Sequence, residues 1–557
     1  MRFHVSLKVS RLVFLILVMS SVLLDFHLLI DIVSAQFRDS INYLFVVDEE
    51  GRTSVKIIYR SDSESGSSWI LVPKTLEWSN RTISGKVTYW SLNDTENLIG
   101  EELYFYEALC FSFNSDNLEF EMNIQFNFTT AAMIIEPNGI FYSPQIGFKE
   151  GNRLEASVIF PNGFKINQDE AVAVGTGFYQ PAYTNSNYVR FDNFQLADNM
   201  IRIEIGFQTH NEKPETSTIK EGIFTFETVK RYESYARDVL NFYNKVYKAL
   251  EDLFNVTFEN AGDKTFKGIN VQFFLPDFDS LLTVGGYVPF SGEEIGDIHI
   301  NIVFTRFIEG YIEVIALHEL IHHFLWEAGI SPESLLWFHE GMAQYVSLKI
   351  TSEFGYEGSK IMRQEIEDGV LQLTQMIGDK PDLGFLKYWN PSYQPRDMAT
   401  LYVASYYVVS RLAEPRGGLK YYATFFKVIN SITVEDTVML GYYLSLAANE
   451  SIVTTLNSWN FDIPDLYVHS TLIDEVARAI SAVNPVFQPY KSLAELFYRQ
   501  ALSNAGKGGS ASAMQQNLSV ALMIARLASL LTLLTWSGIV FVAILLFLKR
   551  KGVFQNF

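Results

Sequence analysis

The sequence predicts a multidomain chain: an N-terminal all-β sandwich or saddle, then an α+β unit of small sheet plus helical lobe, then a single C-terminal membrane-spanning helix. Three observations carry this reading. At 557 residues the chain is too long for one hydrophobic core. Its hydrophobic pattern is strand-like up to about residue 222 and almost wholly helical after Arg306. Near its end, Leu527 to Leu548 forms 22 residues without a charge, enough to cross a ~30 Å hydrocarbon core as a helix.

The first segment, 1–35, reads as a secretory signal. Lys8 and Arg11 flank an uncharged run from Leu12 to Leu24, and Val33-Ser34-Ala35 supplies small residues for cleavage. Segment 36–222 reads as the β-rich domain. Ile41–Val47, Ser54–Tyr59, Leu103–Phe113, Leu118–Phe128 and Met200–Gln208 are rich in aromatic and β-branched residues and are separated by Gly, Asn, Asp and Ser. Segment 223–415 changes character. Apolar residues at helical spacing predict a helix over Thr228 to Phe254, followed by strands at Asn270–Leu275, Leu281–Phe290 and Asp297–Phe304. A helical part at 416–503 leads to a Gly- and Ser-containing stalk at 504–526, the span at 527–548 and a basic tail at 549–557. Lys549, Arg550 and Lys551 place that tail in the cytoplasm and the bulk of the chain outside the cell membrane.

Composition narrows the function classes. The formal net charge is −20 with no basic cluster outside the chain ends, which argues against nucleic acid as a partner. The one cysteine, Cys110, permits no internal disulfide, so an external fold rests on packing and metal. Sequons at Asn80, Asn93, Asn127, Asn255, Asn449 and Asn517 permit glycosylation.

The chemistry concentrates at His318-Glu319-Leu-Ile-His322. A helical turn is 3.6 residues, so His318 and His322 project from one face and supply two nitrogen ligands to one Zn²⁺. Glu319 lies about 100° round the helix, beside the metal, where it can take a proton from water. A catalytic zinc site needs a third protein ligand, and Glu340 in Trp337-Phe-His339-Glu340-Gly341-Met-Ala343 is placed to enter from a second helix starting near Pro332. His323 and His339 could also reach the metal, but read first as packing or supporting residues around the ligands.

His-Glu-x-x-His followed by Trp-Phe-x-Glu-Gly-x-Ala resembles the gluzincin metallopeptidases, the group of aminopeptidase N and leukotriene A4 hydrolase. The resemblance implies a thermolysin-like zinc-peptidase fold for the α+β unit, one Zn²⁺ per chain and a peptide or protein substrate. This chain has 17 residues between His322 and Glu340 where the family usually has 18, and His339 where it usually has Asn. The family's catalytic tyrosine matches Tyr402, with Tyr406 one turn later as a competitor. Its substrate-aligning Gly-x-Met-Glu-Asn edge strand matches Gly285-Gly286-Tyr287-Val288-Pro289, without the amine-binding Glu; Glu293 and Glu294 follow closely. The resemblance therefore implies an aminopeptidase-like enzyme with Glu319 as general base. Internal peptide cleavage and a non-catalytic surface scaffold holding a structural zinc are the alternatives.

Overall fold

Alternation of apolar and polar residues makes Thr53–Ser61 a strand with one buried face, carrying Val55, Ile57 and Tyr59. It pairs with Asp39–Val47 and Phe120–Phe128 within a seven-stranded sheet. A six-stranded sheet runs through Lys165–Val174 and Met200–Gln208, and a three-stranded one joins Ser65–Pro73, Tyr106–Asn114 and Lys86–Asn93. All three sheets contribute to one aromatic core, in which the Tyr59 ring meets Phe111 at 5.0 Å and Phe113 and Phe120 at 6.0 Å. The computed structural model describes residues 39–550 except 116–118, 130, 196, 212, 259–267, 292–293, 307–308, 378–380, 431 and 507–510. The expected signal at 1–35, Glu293 and the last residues of the tail lie outside the described residues.

A sheet-rich region precedes a helical one, but the sheet of the second region begins before residue 222 and its first helix after Thr228. Thr216–Glu221 forms a hairpin with Phe224–Val229, and both belong to a five-stranded sheet with Ile269–Phe274, Ile298–Asn301 and Gly286–Tyr287. A boundary at 222 would cut that hairpin at its turn. Thr228 is still in the strand; the helix runs Glu233–Phe254 and buries Val239, Leu240, Tyr243, Val246 and Leu250. Of the expected strand Leu281–Phe290, Gly286–Tyr287 joins this sheet and Phe290 begins a separate hairpin with Glu294–Ile295. The side chain of buried Asn301 donates to the Leu281 and Val284 carbonyls at 2.9 and 2.8 Å, which holds residues 281–284 in a turn, and Pro289 has no N–H to extend the ladder.

The C-terminal helix starts at Ala511, well before the apolar run, and continues to Arg550. Residues 511–526 are therefore helical, where composition suggests a flexible stalk. Met514, Leu518, Ala521, Ala525 and Ala528 recur at alternating spacings of four and three and are buried. This seam packs on Ser470–Ser481 and Tyr490–Gly506. Beyond it Leu533, Leu534, Trp536, Phe541 and Leu546 are exposed. The helix is long and apolar enough to cross a membrane.

Candidate active site

The helix Tyr311–Glu327 carries the His-Glu-x-x-His motif. It begins where Glu313 accepts a hydrogen bond from the Gly310 N–H at 2.9 Å. Val314, Leu317, Leu320, Ile321 and Phe324 are buried around it, so it lies inside the core with no solvent face to drift toward. Tyr243 fixes it from behind by donating to the Ala316 carbonyl at 2.8 Å. A short loop follows, turned by Gly329 in the left-handed region at φ 85°, and Pro332 opens the second helix, Pro332–Ser352. This compact connection brings Glu340 back to the two imidazoles.

His318 Nε2 stands 3.1 Å from Glu340 Oε2 and His322 Nε2 stands 3.7 Å from the same oxygen. The three ligand atoms all lie within 4.8 Å of one another. Ligands about 2.0–2.2 Å from a tetrahedral zinc are separated by roughly 3.3 Å, so the group has the size and the donor chemistry of a zinc site. His323 does not join it; that ring faces the Gly296 backbone, and burial lowers its pKa to about 4.

His339 supports the ligands. Its Nε2 is 2.9 Å from the Ile330 carbonyl, which can only accept, so Nε2 carries the proton. Burial pulls the His339 pKa down to about 4, so its Nδ1 holds a lone pair at neutral pH. His322 Nδ1 lies 3.3 Å from it and must be the donor. That bond leaves the His322 Nε2 lone pair facing Glu340 and the ligand group. Burial, with His318, His339 and His323 nearby, keeps His322 well below its ordinary pKa and therefore neutral. His339→Phe is expected to weaken zinc about 10- to 100-fold, the usual effect of losing such a partner. A competition titration against a chromophoric chelator checks this, and unchanged affinity would remove His339 from that role.

Glu319 is buried on the same helix and lines a cleft of about 960 Å³. Gly286 explains how the edge strand comes so close. A Cβ there would fall 2.8 Å from the Glu319 side chain and 2.8 Å from the His299 carbonyl. Of the three predicted strand residues, Gly285 and Gly286 line the cleft, whereas Tyr287 does not. Its ring stacks on His299 at 4.4 Å, as strand alternation requires once Gly286 faces the site.

Tyr402 reaches the site through a second glycine. A Cβ on Gly341 would meet the Ser405 carbonyl at 2.6 Å, so only glycine lets the helix Met398–Ala413 pack this closely on the Glu340 helix. Tyr402, one turn before Ser405, then faces the ligand group, its ring 6.5 Å from His318. Burial and the Glu340 and Glu319 carboxylates push its pKa well above the ordinary value, so it is a permanent donor. Tyr406 faces Tyr345 instead, among Glu367, Arg363 and Glu414.

No protein-family model matches the sequence, and no curated protein does. Among solved structures it is similar to leukotriene A4 hydrolase from Saccharomyces cerevisiae at 14% identity, over 84% of this chain and 73% of that one, with a TM-score of 0.32. An M1 zinc metallopeptidase from Deinococcus radiodurans matches at 13% identity over 76% and 94%, TM-score 0.28. An aminopeptidase N family protein from Idiomarina loihiensis matches at 9% over 75% of each chain, TM-score 0.29. The chemistry of the site rests on its own residues.

The cleft also collects residues that carry no motif. Arg202, from the β-rich region, and Gln344 and Glu365, from site-side helices, line it together with His318, Glu319 and Tyr402. Arg202 stands on the polar face of an alternating strand, a pattern identical to that of a surface residue. No sequence signal marks these three.

Proposed function

We propose that the chain is a zinc metallopeptidase that hydrolyses peptide bonds on the outer side of a membrane. The observation that carries the reading is the meeting of His318, His322 and Glu340 at ligand separations, with Glu319 and Tyr402 beside them on one cleft. When bound there, zinc supplies Lewis acidity toward water and the peptide carbonyl. Glu319 takes the proton of the attacking water and passes it to the leaving amine. The Tyr402 hydroxyl donates to the oxygen that becomes negative as the carbonyl is attacked. The edge strand at Gly286 offers its unpaired main chain to an extended peptide.

Internal cleavage is a second reading with its own support. The strand Gly286–Tyr287 carries no carboxylate to hold a free amine, and Glu294 sits in a separate hairpin that does not line the cleft. The test is zinc-dependent, chelator-sensitive cleavage of a quenched peptide pool by the purified full chain. Equal rates on amine-blocked and free peptides assign internal cleavage; loss on blocking assigns an aminopeptidase; no cleavage at all favours the scaffold.

Tyr402→Phe is expected to lower kcat about 100-fold or more with little change in KM, the loss typical of removing one donor to an oxyanion. Steady-state kinetics check this, and an equal loss in Tyr406→Phe would move the role.

A further inference from the structure

The proposed hydrolysis leaves open what the cleft recognises, and its charges bear on that. Among the described lining residues Arg202 is the one Lys or Arg side chain. It projects from Met200–Gln208, across the cleft from the Tyr311–Glu327 helix. One guanidinium nitrogen donates to the Ser143 carbonyl at 2.9 Å, and the group lies over the Tyr142 ring at 4.8 Å. These contacts aim the fork and use one of its five N–H donors. Among the described residues no carboxylate forms an ion pair with it. Glu204, two residues on, does not line the cleft.

The position of the strand matters as much as the charge. Arg202 lines the same cleft as the segment that leads into Gly285 and Gly286. Leu282, Thr283 and Val284, which lead into the edge strand, line the cleft as well. A peptide lying along Gly285–Gly286 therefore shares its cleft with Arg202. The walls on the way are largely apolar, with Phe105, Phe128 and Leu282 among them, which strengthens a charge pair by excluding water.

We propose that Arg202 is a specificity-determining residue that binds a carboxylate of the substrate, at a peptide C-terminus or on an acidic side chain. The inference rests on the peptidase reading for its substrate class, and binding measurements separate the two. A planar guanidinium holds a carboxylate through paired hydrogen bonds, which an amide cannot replace.

The experiment uses the zinc-loaded full chain carrying Glu319→Gln, which reads binding without turnover. Calorimetry compares one pentapeptide as free acid and as C-terminal amide, and a third form in which an internal Glu replaces Gln. We expect at least one carboxylate to tighten binding about tenfold or more, and Arg202→Gln to abolish that difference. Loss of the free-acid preference assigns the chain terminus; loss of the Glu preference assigns a side chain. Arg202→Lys, which keeps the charge, is expected to retain part of the preference and serves if Arg202→Gln lowers the melting temperature. Equal binding of all three peptides overturns the inference, as does a preference that survives both substitutions. Cleavage by the wild type without any carboxylate preference sinks this inference alone; carboxylate-selective binding without cleavage sinks the hydrolase reading alone.

Discussion

Replacing Glu319 by Gln is expected to leave zinc bound and to lower kcat by about a hundred- to ten-thousand-fold, the span that a positioned general base supplies. The carboxylate is not among the three converging ligand atoms, so its loss leaves the metal its donors. The side chain is nearly isosteric, so the contact with Gly286 survives. A second readout is independent of turnover. Burial pushes the Glu319 carboxyl up to about 8, with His318 opposing and Glu340 adding. In metal-free protein it keeps its proton up to that pH, whereas in the unfolded chain it releases it near 4.5. Between those values the folded state holds more protons, so stability falls as pH rises through the window. Metal-free Glu319→Gln, which cannot ionise, should therefore melt above metal-free wild type at pH 9 and converge with it below pH 5. A bound cation favours the carboxylate and should shrink the gap. Unchanged turnover together with equal melting at every pH would remove both the proton-transfer role and the strained charge.

Legibility from sequence followed the range of the interactions involved. His318, Glu319 and His322 lie within five residues on one helix, where backbone geometry alone decides which side chains share a face. Glu340 required only that a short loop return the next helix, and Pro332 marks where that helix starts. Tyr402 needed more: its place depends on Gly341 admitting a third helix, a contact 64 residues apart in sequence from Gly341 to Ser405. The edge strand was legible in its glycines but not in its length, because the buried Asn301 side chain, outside that segment, takes the carbonyls of Leu281 and Val284. Arg202 was not legible at all. Alternation puts it on the polar face of its strand, and only the second domain turns that face into a cleft wall. The β-rich region followed the same logic: Met200–Gln208 emerges with its predicted ends because alternation is local, while the hairpin Thr216–Val229 joins the other sheet through long-range pairing. Gly- and Ser-containing sequence near residue 511 suggested a flexible stalk, but the seam from Met514 to Ala528 buries a face of the helix there, and tertiary packing overrides weak local propensity.

Glu340→Ala tests the other half of the site, and its signature differs from that of Glu319→Gln. Four-ligand structural zinc sites bind with about 10–16 kcal/mol, so one ligand carries about 2.5–4 kcal/mol, or roughly a hundred- to a thousandfold in affinity. The loss here should reach that size because the ligand removed is the anionic one. Glu340 is the only acid among the converging ligand atoms, and it ties the second helix to His318 and His322. Without it the cation keeps two imidazoles and no ligating carboxylate, Glu319 lying beside the ligand group but outside it. Zinc should therefore dialyse away from Glu340→Ala under conditions in which the wild type and Glu319→Gln keep it, and turnover should fall with the metal content. Excess zinc separates the variants. Mass action should refill Glu340→Ala and restore part of its activity, whereas Glu319→Gln, already loaded, should not respond. Metal analysis after dialysis and a zinc titration of activity read both outcomes. Full metal content with unchanged turnover in Glu340→Ala would take the carboxylate out of the site, and with it the reason for the second helix to pack where it does.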